Sequence, residues 1–102
     1  MAITRGDRFR LTRDFRGRGA LLGQDGNHRG EFACVIPKGT MLVATQDVSV
    51  MATGFNAVPW DYEGMERDLV PEEDRLVDGY NGYVFMFFVG DVGALLEAVA
   101  AT

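Results

Sequence analysis

The stretch Tyr83-Val84-Phe85-Met86-Phe87-Phe88-Val89 is the longest unbroken apolar run in the chain, and it limits the possible folds more than any other feature. Aromatic and β-branched residues dominate it and two turn dipeptides, Asp78-Gly79 and Asn81-Gly82, precede it, one of them turning the chain into it, so it predicts a β-strand. The run is far shorter than the roughly 20 apolar residues a membrane-spanning helix needs. Both faces of this strand are apolar. Such a strand either lies centrally, covered on both sides, or presents one face to a partner. The expectation is a central strand with one face under a C-terminal helix. The alternative is an apolar strand that pairs with a second copy to give a homodimer.

Shorter segments carry the alternation of half-buried strands. Arg8-Phe9-Arg10-Leu11-Thr12 predicts a strand with Phe9 and Leu11 inward, ending near Phe15. Glu31 to Ile36 predicts a second, with Phe32, Cys34 and Ile36 on one face. Pro37-Lys38-Gly39-Thr40 has its breakers where a tight turn needs them. Met41 to Gln46 resumes as a strand, and after a bend at Asp47 another is expected over Val48 to Thr53. Residues 16–30 hold five glycines, which argues against a helix. They predict a long exposed loop, with room for a short strand at Ala20–Leu22, containing the turn signal Asp25-Gly26. Gly54-Phe55-Asn56 and Pro59 predict a further loop.

Two helical segments are expected. Met65 and Leu69 stand at i and i+4 within residues 61–75, and Pro71 followed by Glu72, Glu73 and Asp74 reads as a first helical turn. Asp91 reads as an N-cap, with Val92, Leu95, Leu96 and Val99 forming one stripe of a C-terminal helix over 91–101. The predicted fold is therefore mainly β, a single domain over residues 1–102, with about five strands forming a small partly open barrel over 6–90. The strand–turn–strand order around Pro37–Thr40 resembles SH3-like barrels. That resemblance implies binding of peptides, proteins or nucleic acids rather than a particular site.

The residues for catalysis are scarce. Cys34, His28 and Ser49 are each the single residue of their type. A nucleophilic triad would have to use His28, which lies in the glycine-rich segment, where a base is poorly held. Cys34 sits between Ala33 and Val35 and reads as a small buried hydrophobe. The adjacent carboxylates Glu72, Glu73 and Asp74 lie in a polar run, whereas general acid work needs one carboxylate in an apolar pocket. The ligand set is too poor for zinc. Asp74, Asp78 and Asn81 lack the alternating oxygen ligands of a calcium loop. Gly17 to Gly23 misses the dinucleotide-binding glycine spacing by one residue. The tripeptide Arg5-Gly6-Asp7 reads as a turn. No enzyme activity, cofactor or metal is expected. Met1 to Asp14 contains no apolar signal core, so a cytoplasmic location is expected.

Charge is the remaining signal. The chain has a formal net charge of -5. Residues 1–29 hold seven arginines against three aspartates, whereas residues 61–78 hold eight carboxylates against two arginines. These segments either solvate the domain and neutralise each other or serve as binding faces. The favoured function is a small protein-binding module, such as an inhibitor of the phage anti-defence (anti-CRISPR) or toxin-immunity type. It would cover an arginine-rich or nucleic-acid-binding site of a partner protein with Glu63, Glu66, Asp68, Glu72, Glu73 and Asp74, anchored by Trp60 and Tyr62. The alternative is nucleic-acid binding through Arg8, Arg10, Arg16 and Arg18, since a barrel face of arginines and aromatics holds single strands.

Overall fold

Alternating burial organises the computed structural model, which describes residues 2–100. Its elements are β1 (Arg8–Leu11), β2 (Phe15–Gly23), β3 (His28–Ile36), β4 (Met41–Ala44), β5 (Gly54–Pro59), α1 (Tyr62–Leu69), α2 (Glu72–Arg75), β6 (Tyr80–Phe88) and β7 (Leu96–Val99). The strands form one open sheet in the order β3-β2-β6-β5-β4-β1-β7, with every neighbouring pair antiparallel. The protein is thus mainly β, with seven strands where about five were expected. Phe9 and Leu11 are buried as their alternation requires, as are Phe32 and Ile36. The turn at Pro37–Thr40 is present, with Thr40 N–H donating to the Pro37 carbonyl at 3.2 Å.

The segment expected to be a glycine-rich loop with at most a short strand at Ala20–Leu22 is instead the nine-residue β2, paired with β3 from Phe15↔Ile36 to Leu22↔His28. The reason lies in the neighbours of its glycines. A Cβ on Gly19 would overlap the Phe32 ring and stand 2.7 Å from Phe85 Cε1. The Phe15 ring folds back over Gly17 in the same way. Aromatic rings thus occupy the room that absent side chains leave, and their burial offsets the entropic cost of glycine in a strand. Only Gln24 to Asn27 remain as the hairpin turn, with Gly26 at a φ of 79°.

Three further expectations are corrected. Gly54 to Pro59 is strand β5 rather than a loop, because Phe55, Ala57 and Pro59 alternate into the core. Pro59 takes the last strand position, where its missing N–H is tolerated. Residues 48–53 form turns, apart from one bridge between Val48 and Ile3. The C-terminal helix is not formed over residues 91–100, and residue 101 lies outside the described residues. Gly93 there adopts a φ of 96°, which a right-handed helix cannot contain. The open edge of β1 takes Leu96–Val99 as β7 instead, with Leu96 opposite Leu11. Asp91 caps a single 3-10 turn, accepting from Phe88 N–H at 3.1 Å.

One core joins these elements. Phe9 of β1 packs on Phe55 of β5 with ring centroids 5.3 Å apart, Phe15 on Phe87 at 5.0 Å, and Phe32 on Phe85 at 5.7 Å. β6 lies between β2 and β5 and buries Tyr83, Phe85 and Phe87. Its other face is not under a helix, since Met86 and Phe88 are each 61% exposed. Helix α1 packs on the core side through Tyr62, Met65 and Leu69.

Candidate binding surfaces

The acidic surface is built on α1 and α2. Asp61 starts α1 by accepting from Gly64 N–H at 3.2 Å. The next residue ties the helix to the sheet. Tyr62 stacks on Tyr83 with centroids 4.4 Å apart and planes 8° from parallel. Its hydroxyl accepts from Tyr83 N–H at 2.8 Å, while Tyr83 Oη donates to the Tyr62 carbonyl at 2.6 Å. Gly82 makes this possible, because any side chain there would collide with the Tyr62 hydroxyl. With Met65 and Leu69 turned to the core, Glu63 and Asp68 point to solvent. The chain leaves the helix at Val70, whose extended conformation suits a residue before proline. Pro71 then opens α2, which exposes Glu72 and Glu73 and half-buries Asp74.

Not every carboxylate here is free. Glu66 accepts from the Tyr80 hydroxyl at 2.7 Å. Burial, followed by this hydrogen bond and the Glu66 charge, pushes the Tyr80 phenol above its usual range. Burial likewise raises Tyr83 and Tyr62. Arg75, one of the two cations of the stretch, donates through Nε to the Val70 carbonyl at 3.2 Å. The ion pairs found among the described residues are Arg18–Glu31 at 3.6 Å and Arg29–Asp25 at 3.4 Å. Neither involves residues 61–78. The basic and acidic segments therefore do not neutralise each other through direct ion pairs among the described residues, and Glu63, Asp68, Glu72 and Glu73 stand as an acidic face without a paired cation.

The arginines lie on the outer face of the sheet, opposite the core. Arg8 and Arg10 alternate outward from β1, in register with Val43 and Met41 of β4. Arg16 and Arg18 point outward from β2. Trp60, assigned by chain proximity to the acidic helices, belongs to this arginine face. Its N–H donates to the Met41 carbonyl at 2.8 Å, and the Arg8 guanidinium lies 4.1 Å from its ring centroid. The indole remains 57% exposed. Met86 and Phe88 add exposed apolar groups to the same face. The C-terminal helix expected over one face of this strand does not cover them, and because both sides of the strand are apolar nothing in the local sequence separates the two sides. Of the two expected anchors, Trp60 is therefore available, whereas Tyr62 is committed to Tyr83.

His28, Ser49 and Cys34 lie apart. His28 is exposed at the start of β3, and Ser49 accepts from Met51 N–H in the loop before β5. Cys34 faces the core, where burial pushes its thiol up to about 11. Among the described residues no group of three or more His, Cys, Asp or Glu is placed to hold a metal ion. No helix among them is long and apolar enough to cross a membrane. Comparison with protein-family models, curated proteins and solved structures returned no match.

Proposed function

We propose that this protein is a non-catalytic binding module that covers a basic site of a partner protein with the carboxylates of α1 and α2. The observation that carries the reading is that four carboxylates on two successive helices, Glu63, Asp68, Glu72 and Glu73, are exposed without a paired cation among the described residues. Such a face steers an arginine-rich surface into contact and disfavours acidic partners. Glu66 and Asp74 flank it, and the Tyr62–Tyr83 stack fixes the helix that presents it. In this reading the bent sheet is a partly open SH3-like barrel serving as a rigid frame. The biological setting is the cytoplasm of a bacterial cell, with the chain acting as an inhibitor of the anti-defence or toxin-immunity type.

The test is a pull-down from nuclease-treated bacterial lysate, analysed by native mass spectrometry. It compares the wild type with a variant carrying Glu63→Lys, Asp68→Lys, Glu72→Lys and Glu73→Lys. A discrete protein partner should be recovered with the wild type and lost with the variant, at an unchanged urea midpoint. Retention of that partner by the variant would sink the reading.

A further inference from the structure

We propose that the outer face of the sheet is a separate binding surface for single-stranded nucleic acid. The sheet itself sets the arrangement. Arg8 stands beside Val43 and Val43 beside Val58, so outward positions line up from β1 through β4 to β5, and Val84 of β6 stands beside Ala20 of β2. β6 joins the two parts of the face, pairing with β5 over Phe85–Phe88 and with β2 over Tyr80–Val84. At one end Arg8 and Arg10 accompany the exposed Trp60. At the other, beyond the Ala20–Val84 pair, a groove of about 520 Å³ has Arg18, His28, Asn56 and Met86 among its lining residues. The exposed Phe88 lies two residues further along β6.

This combination suits unpaired bases. Exposed aromatic faces accept stacking from any base, and arginines between them meet the phosphates. A guanidinium lying over an indole also offers its own outer face to a base. A duplex hides its base faces and would make only the phosphate contacts. Two features oppose binding, and both are weak. Arg18 is paired with Glu31, but that pair is largely exposed, so a phosphate displaces it at little cost. The net charge of -5 repels a polyanion. However, α1 packs on the core side of the sheet through Tyr62, Met65 and Leu69, away from the outer face, and the Debye length is only ~10 Å at 0.1 M salt.

The probe is fluorescein-labelled (dT)12, titrated into the full chain and followed by anisotropy and by quenching of the single tryptophan. Binding is expected at 50 mM salt, weakening as salt rises with a log–log slope near -3 if four arginines meet phosphates. Arg8→Ala and Arg18→Ala should each reduce that slope by ~0.7. Trp60→Leu and Phe88→Ala should each weaken binding about tenfold and leave the slope unchanged. A duplex of the same length should bind more weakly. The proposal is overturned if the folded chain fails to bind (dT)12 at 50 mM salt, or if binding ignores these substitutions. It is also overturned if sedimentation shows a dimer that Phe88→Glu dissociates, since the face then belongs to a second copy. The acidic-face variant should retain (dT)12 binding, so this proposal and the protein-partner reading fail separately.

Discussion

Replacing Gly19 by alanine tests why a glycine-rich segment forms an internal strand of this sheet. The added Cβ would overlap the Phe32 ring and lie 2.7 Å from Phe85 Cε1. Carbon atoms settle at ~3.5–4.0 Å, so the Phe85 ring must withdraw by about 1 Å. It has nowhere to go, because Phe32 and Phe85 are 3% and 0% exposed and pack edge to face at 5.7 Å. Overpacking of this kind costs about 1–3 kcal/mol. Removing a glycine from the unfolded chain returns about 0.4–1 kcal/mol. The expected net loss is about 1–2 kcal/mol, or a fall in Tm of roughly 4–16 °C for a domain of this size. Urea unfolding followed by Trp60 fluorescence and far-ultraviolet circular dichroism reads the change as a lower midpoint at constant slope. Gly90→Ala is the control, because that position has open space around it. Its effect should be within about 0.5 kcal/mol of zero. Phe32→Leu in the Gly19→Ala background should recover part of the loss. A Gly19→Ala protein as stable as the wild type would refute the account of β2 as a strand held by rings over glycines.

Tyr62→Phe removes the acceptor of the Tyr83 N–H bond and should cost about 1–3 kcal/mol in urea unfolding, a loss that Tyr62→Leu exceeds because the stack goes too. If Tyr62→Phe unfolds at the wild-type midpoint, Tyr62 does not hold α1 as described. Tyr62, Tyr80 and Tyr83 are raised from their usual 10.0, first by burial, so the unfolded chain loses these protons before the folded one. Their contribution is fully present below pH 10 and is lost as pH climbs toward the folded values, so the urea midpoint should fall above pH 10 and fall less in Tyr80→Phe. A midpoint that holds steady to pH 11 would contradict this. Cys34, raised from 9.0 to about 11, should react with a disulfide reagent at neutral pH on the order of a hundredfold more slowly in the folded chain than in urea. Equal rates would place the thiol in solvent.

Where a segment's structure depended on its own residues, the sequence was readable. The inward pairs Phe9/Leu11 and Phe32/Ile36, the Pro37–Thr40 turn and the helix through Met65 and Leu69 all follow from local period or turn chemistry. Where structure depended on a distant partner, it was hidden. Gly17 and Gly19 read as loop residues until Phe15, Phe32 and Phe85 are placed over them. Val92, Leu95, Leu96 and Val99 carry a helical stripe that loses to the free edge of β1, and Gly93 makes that choice sterically affordable. In β5, Phe55, Ala57 and Pro59 do alternate, but glycine and proline at its two ends mask the period.

The same division explains which half of the site was legible. Glu63, Asp68, Glu72 and Glu73 are close in sequence; the exposure of Glu63 and Asp68 follows from the spacing of Met65 and Leu69 on α1, and that of Glu72 and Glu73 from their place in the polar run after Pro71. Trp60 is equally close to them in the chain, yet its partner lies 52 residues away, at Arg8. The antiparallel registers of β5 against β4 and of β4 against β1 bring Trp60 to the same outer face as Met41 and Arg10, with Arg8 two residues along β1. One step separates Trp60 from Asp61, and across that step the chain passes from the outer face of the sheet to a helix on its core side. A reading by proximity assigns both residues to one surface. The register assigns them to two, and it is this separation that leaves an acidic face and an arginine face on one small chain without direct ion pairs between them among the described residues.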